Sequence, residues 1–174
     1  MYIGINSEAK LDTINGPILA RAMVGQTIDV WDGRSYVPAE TQKFPADNRV
    51  QWYLVNFDNG VSILCTHGSE FELSGRRIVD AASLTAGDVL KPWKMPDSTV
   101  NVVAVVSVEP VVRKANVYAV HNPISERILV NGIAMIAQPY QNMTDEDEDT
   151  IETVSAAPEE TTDSTGPSDV SIEE

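Results

Sequence analysis

The chain has 174 residues and a formal net charge of −14, and this length suits one domain followed by a tail. Twelve of the 26 acidic residues lie between Thr144 and Glu174, where no Lys or Arg occurs, so residues 1–143 hold 14 acidic and 12 basic residues, a net charge of −2. This nearly neutral body argues against a nucleic-acid-binding surface, and no apolar run approaches the roughly 20 residues of a membrane helix.

The cysteine content and the first residues both bear on cellular location. Cys65 is the only cysteine, so no disulfide can form within the chain, and this fits a reducing compartment. The segment from Met1 to Asn6 has neither the basic part nor the long apolar part of a signal peptide. We therefore expect a cytoplasmic protein.

Short runs rich in Val, Ile and Tyr alternate with turn signals along residues 1–143. The turn signals are Asn15-Gly16-Pro17, Asp32-Gly33, Asp58-Asn59-Gly60, Ser74-Gly75, Ala86-Gly87-Asp88 and Asn131-Gly132. Asn-Gly pairs favour the positive φ angles of tight hairpin turns, so the pattern predicts an all-β body of hairpins.

Several strands can be placed in chain order. The clearest hairpin joins residues 51–58 to residues 61–65, and Val-rich residues 100–112 predict one strand or two. Two more strands are expected at residues 117–120 and 128–130, and a short turn near residues 81–84 is the one helical signal. Residues 144–174 contain no aromatic residue and many Asp, Glu, Thr, Ser and Pro, which predicts a disordered acidic tail.

Three segments carry recognisable motifs. The first has Asp12-Thr13 and continues from Gly16 to Gln26, the second runs from Asn59 to Phe71 and is followed by Val79 to Asp88, and the third contains Val117-Tyr118 and Val130 to Ile133. In order and spacing they resemble the Hint (hedgehog/intein) family, compact β-folds that excise themselves from precursors or cleave their own ends. The resemblance covers nearly all of residues 9 to 138 and implies a Hint/intein-like fold.

The opening motif lacks its reactive group. In the family, a Cys or Ser at the first position of the domain attacks the preceding carbonyl, a step that needs an activating base and a stabilised oxyanion. The resemblance places Ala9 there, or Lys10 or Glu8 if the gap before Thr13 is counted differently. Ser7 is the only hydroxyl just upstream, and its use would require a lengthened opening.

The second motif is half complete. The family has a Thr and, three residues later, a His that protonates the leaving amide nitrogen. Thr66 is present, but Ser69 occupies the position of that His. His67 follows Thr66 directly, so strand alternation would direct its ring to the opposite face, and it would substitute only if the chain bulges there.

The third motif departs furthest from the family. A typical member has an Asp after the Tyr, a His further along, and a final His-Asn before the downstream nucleophile. Those positions hold Ala119, Glu126 or Arg127, Ile136, Ala137 and Gln138. Alanine has no side-chain amide with which to cyclise, so this alignment excludes splicing at the C-terminal junction. Asn131 precedes Gly132 in a turn, and we assign it a structural role.

These losses predict a catalytically degenerate Hint domain at residues 1–143, a structural or binding module that performs no protein splicing and is not an enzyme. The competing interpretation is a self-cleaving domain. In it, Ser7 is the nucleophile of N-terminal autoproteolysis, and Thr66 and His67 assist. Release of the first residues would distinguish the two.

The remaining features receive structural explanations. We interpret Cys65 as a small core residue, and we assign no cofactor and no metal, because no carboxylate spacing complements the two histidines, His67 and His121. The acidic tail, residues 144–174, is a candidate docking segment for a basic protein partner. A short, free-standing phage or bacterial protein would suit this organisation.

Overall fold

A computed structural model describes residues 2–75 and 77–138 of the chain. The predicted tail, residues 144–174, lies outside the described residues. The strands are β1 (Lys10–Thr13), β2 (Gly16–Leu19), β3 (Thr27–Trp31), β4 (Tyr36–Phe44), β5 (Trp52–Phe57), β6 (Ser62–Thr66), β7 (Glu70–Glu72), β8 (Ile78–Asp80), β9 (Trp93–Lys94), β10 (Val100–Asn101), β11 (Val105–Val111), β12 (Val117–His121), β13 (Arg127–Val130) and β14 (Ile133–Ile136). Two short 3-10 helices, Ala20–Met23 and Ala81–Ser83, interrupt them. The predicted all-β class is confirmed.

The strands form one large sheet and three smaller ones. The large sheet has the order β12-β4-β3-β1-β13-β14, with β2 paired to β1, and a three-stranded sheet has the order β11-β5-β6. Strands β7 and β8 form one two-stranded sheet, and β9 and β10 form another. All of these strand pairs are antiparallel, as a chain of hairpins requires.

The predicted hairpin signals correspond to real turns. Strands β5 and β6 pair across the Asp58-Asn59-Gly60 turn, where Gly60 has a φ of 80°. Strands β13 and β14 pair across Asn131 and Gly132, whose φ values are 50° and 80°. The Val-rich region gives two strands, β10 and β11, and the helical signal corresponds to the 3-10 helix at Ala81–Ser83.

Strand β12 is buried on both faces. Tyr118 and Val120 belong to the main core, whereas Val117 and Ala119 pack in a second cluster with Phe44, Val50 and Trp52. A strand covered on both sides has a continuous apolar sequence rather than an alternating one, and this explains the run from Val117 to Val120. No helix among the described residues is long and apolar enough to cross a membrane.

Candidate functional site

The N-terminal segment passes between β6 and β12. Ile5 forms single bridges to Cys65 and to Tyr118, and its N–H donates to the Tyr118 carbonyl at 2.9 Å, while the Tyr118 N–H donates back at 2.9 Å. The Asn6 N–H donates to the Leu64 carbonyl at 3.1 Å. Gly4 is thereby fixed beside Thr66, the last residue of β6 and part of the second motif.

The second motif holds the backbone of Gly4 on both sides. The Gly4 N–H donates to Thr66 Oγ1 at 3.0 Å, and Ser69 Oγ donates to the Gly4 carbonyl at 2.9 Å. The Thr66 N–H also donates to that carbonyl at 2.9 Å. The two hydroxyls lie 3.3 Å apart. Because the single Ser69 hydroxyl proton is committed to Gly4, Thr66 is the donor between them.

These contacts place the Ile3–Gly4 peptide next to both hydroxyl residues of the second motif. The Gly4 nitrogen donates to the Thr66 hydroxyl and the Gly4 carbonyl accepts from the Ser69 hydroxyl. Thr66 and Ser69 are 0% and 1% exposed, so this hydrogen-bonded ring is closed to solvent.

No side chain fits at this position. A Cβ atom on Gly4 would lie 2.4 Å from the Tyr118 carbonyl oxygen and 2.7 Å from its carbon. Both are backbone atoms of β12, so they cannot move aside as the end of a flexible side chain can. The residues before Gly4 are also packed: the Tyr2 ring stacks on Phe44 with a centroid distance of 4.3 Å.

Ala9 and Ser7, the residues that the resemblance places at or near the first position, lie away from these two hydroxyls, and their assignment stays a prediction. Ala9 is a buried core residue whose N–H donates to the Asn6 carbonyl at 3.3 Å. Ser7 Oγ donates to Glu8 Oε1 at 3.3 Å in an exposed contact. The structure thus brings Gly4 to Thr66 and Ser69, and the sequence offered no signal for this, because a glycine carries no group that marks a lost nucleophile.

His67 lies in the turn that links the two hydroxyl residues, where the Ser69 N–H donates to the Thr66 carbonyl at 3.0 Å. Its own N–H donates to the Gln51 carbonyl at 2.9 Å, and its Nδ1 is buried without a hydrogen-bond partner in the described part of the chain. The side-chain hydrogen bonds to the Gly4 backbone come instead from Thr66 and Ser69.

The residues of the third motif come close to Gly4. A small cavity of about 10 Å³, at most the volume for one water molecule, is lined by Gly4, Tyr118, Ile136 and Gln138 among others. Ala137 is 4% exposed. The N-terminal segment and the third motif therefore meet at this cavity, where the Ile136 side chain contributes only hydrocarbon.

Backbone hydrogen bonds hold the last residues of this motif in place. The Gln138 N–H donates to the Val120 carbonyl at 2.9 Å, and the Ala137 N–H donates to the Glu126 carbonyl at 2.9 Å. Ala119 is 1% exposed and belongs to the second apolar cluster. A carboxylate at position 119 would lose its hydration there at a cost in free energy, whereas the methyl group of alanine is buried without that cost.

Cys65 is a free, buried thiol next to Thr66. Burial raises the pKa of the Cys65 thiol to about 12, a rise that a hydrogen bond with Ser69 opposes, so the thiol is protonated at neutral pH. Within residues 2–75 and 77–138, no three His, Cys, Asp or Glu side chains are grouped to hold a metal ion. The absence of a cofactor stays a prediction.

Comparison with known proteins agrees with this geometry. No family model and no curated protein match the chain in sequence. Solved intein structures match it closely in fold: a DnaB intein from Synechocystis sp. PCC 6803, at 10% identity and a TM-score of 0.68, covers 79% of this chain and 99% of its own. The PabCDC21-1 intein, at 17% identity and a TM-score of 0.66, covers 79% and 100%, and the gp41-1 intein, at 14% and 0.61, covers 78% and 99%. The chain has a Hint/intein-like fold.

Proposed function

We propose that the protein is a catalytically inactive Hint-fold domain that serves as a structural or binding module and performs no protein splicing. One observation carries this proposal: the residue held by Thr66 and Ser69 is Gly4, which has no nucleophile and no room for one. Without that nucleophile, the peptide bond before it cannot be exchanged for an ester or thioester.

The hydrogen bonds around Gly4 support a structural role for the former site. Its N–H and carbonyl are both satisfied by neutral hydroxyls, whereas protonation of a leaving nitrogen requires a group that titrates near neutral pH, such as imidazole. Buried backbone groups need such partners whether or not a reaction takes place. Thr66 and Ser69 therefore act as a clamp that joins the N-terminal segment to β6.

The C-terminal junction supports the same proposal. Cleavage by side-chain cyclisation needs an amide at the terminal residue, and Ala137 has none. Ile136, which precedes it, carries no proton donor. Both halves of the self-processing chemistry therefore lack their reactive groups, while the fold that would hold them is retained.

Self-cleavage through Ser7 is the alternative. Its hydroxyl contacts Glu8 at the surface, whereas the assisting residue Thr66 is committed to Gly4. Because a nucleophile must approach its base within about 3 Å, this arrangement favours the inactive module.

We propose further that residues 144–174 dock to a basic partner, a role that pull-downs with and without them would test. The cytoplasmic location and the phage or bacterial origin stay predictions.

The intact mass of freshly purified protein tests the loss of self-cleavage. We expect the full-length mass to persist for a day at neutral pH, with and without hydroxylamine or a strong thiol, because no ester or thioester forms. The Ser7→Ala variant is the matched control. Release of residues 1–6 from the parent, but not from Ser7→Ala, would instead establish the self-cleaving alternative.

A further inference from the structure

A cleft of about 550 Å³ lies away from the Gly4 site, between the turn after β3, the segment before β9 and the turn before β13. We call it the basic cleft, because Arg34, Lys91, Lys94 and Arg127 line it. Four cationic residues thus line one cleft in a body that has 14 acidic and 12 basic residues. Such a local excess of positive charge attracts anions.

Ion pairs with the protein's own carboxylates neutralise only part of this positive charge. Lys91 Nζ and Arg127 Nη2 share one carboxylate, that of Glu72, at 2.7 Å and 3.0 Å. Arg34 and Lys94 are exposed, and neither forms an ion pair with another residue of the described ranges.

Asp32 is the one acidic residue that lines the cleft itself. Its Oδ1 accepts from the Arg34 and Ser35 N–H groups at 2.8 Å and 2.9 Å, so this carboxylate is engaged in the turn. With Asp32 and Glu72 counted against the four cations, the cleft retains a net charge of +2.

The cleft also has an apolar wall. Trp93 is 8% exposed and packs beneath Gly33, where a Cβ atom would lie 2.9 Å from the ring. The part of the Trp93 side chain that meets Gly33 is its six-membered ring, which is hydrocarbon. Ile124, which is 63% exposed, lines the cleft as well.

We propose that the basic cleft binds a carboxylate-rich segment of a partner protein. The cations suit carboxylates, and the volume exceeds the need of a single small ion. Trp93 and Ile124 suit the aliphatic part of a peptide. The proposal deepens the binding role proposed above and rests on it. The intact mass of the same sample tests the loss of self-cleavage separately.

The test uses fluorescence anisotropy of a labelled peptide of alternating Asp and Glu, added to the full chain. We expect binding that weakens steeply with added salt. The double variant Arg34→Ala/Lys94→Ala should weaken it at least about fivefold, since two unpaired charges are lost. The matched control Arg113→Ala/Lys114→Ala removes the same charge from another exposed segment and should change it less than about twofold.

Four outcomes would overturn the proposal. In the first, the peptide does not bind. In the second, the two double variants weaken peptide binding equally. In the third, a single-stranded oligonucleotide binds to the cleft more tightly than the peptide does. In the fourth, the peptide binds only after residues 144–174 are removed, which would identify the chain's own tail as the occupant.

Discussion

Gly4 has no side chain, and this determines how closely its backbone can approach β12. The backbone can approach the Tyr118 carbonyl closely enough to leave 2.4 Å for a hypothetical Cβ. This proximity allows the paired hydrogen bonds between Ile5 and Tyr118. The absence of a side chain on Gly4 thus allows the N-terminal segment to pack between β6 and β12.

Cys65 should be unreactive in the folded protein. Burial raises its pKa from 9.0 to about 12, so at pH 8 the thiolate fraction is about a thousandfold lower than in the unfolded chain. We expect alkylation by iodoacetamide at pH 8 to be at least about a hundredfold slower in the native protein than in guanidinium chloride. Intact mass follows the reaction at this sole cysteine, and native rates within tenfold of the denatured rate would contradict the burial.

The same shift gives stability a direction with pH. A thiol whose pKa is raised by folding keeps its proton longer in the folded state. The unfolded thiol ionises first, so this contribution to stability is complete below pH 9 and is lost as the pH rises from 9 towards 12.

Among the elements, the hairpins were the most predictable from sequence. Asn59-Gly60 and Asn131-Gly132 determine backbone angles locally, so the β5–β6 and β13–β14 turns need no knowledge of the rest of the fold. The small sheet of β7 and β8 was not predicted. Its strands have three residues each, too few to show an alternating pattern.

The candidate site was only half predictable for a related reason. Thr66 and Ser69 carry polar groups, so the sequence could indicate them as a motif. The place of Gly4 depends on the pairing of the next residue, Ile5, with Cys65 and Tyr118, residues that are 60 and 113 positions away from Ile5. Counting residues back from Thr13 leads to Ala9 and gives no indication of these distant contacts.

The turn between β13 and β14 offers a test of an element held by a side chain. Asn131 Oδ1 accepts from the Lys10 N–H at 2.8 Å, and its Nδ2 donates to the Ser62 carbonyl at 3.1 Å. Asn131→Gly loses both bonds and should cost about 1 kcal/mol of unfolding free energy. Asn131→Ala also strains a φ of 50° and should cost about 1 kcal/mol more.

Urea denaturation of the two variants and the parent measures both free-energy losses, that of the two hydrogen bonds and that of the positive φ. Equal destabilisation by Ala and Gly would show that the positive φ carries no cost. A loss below about 0.5 kcal/mol in both would show that the side-chain bonds of Asn131 to β1 and β6 contribute little.

For the whole molecule, a Hint-like fold can persist without its reaction because the two have separate physical causes. Burial of apolar residues such as Leu11, Ile63 and Leu129 stabilises the fold, and none of them is a reactive group. The positions around Gly4, Ile136 and Ala137 are filled by residues that pack or hydrogen-bond. Replacing reactive polar groups at buried positions by such residues is favourable when no reaction is required.

Restoring the reactive groups should therefore fail to restore activity. The variant Gly4→Cys/Ser69→His/Ile136→His/Ala137→Asn regains a nucleophile, the His of the second motif and the final His-Asn. A Cys Cβ at position 4 would still lie 2.4 Å from the Tyr118 carbonyl oxygen of β12, and Ser69, which the His would replace, is only 1% exposed. We expect its folded fraction, isolated by size exclusion, to keep the full-length mass for a day with hydroxylamine. The control is the triple variant Ser69→His/Ile136→His/Ala137→Asn, which retains Gly4. Comparing its folded fraction with that of the quadruple variant shows whether the Cys at position 4 prevents folding or only fails to react. Cleavage between Ile3 and residue 4, or after residue 137, in the quadruple variant alone would show that missing groups, and not the path of the backbone, keep this site inactive.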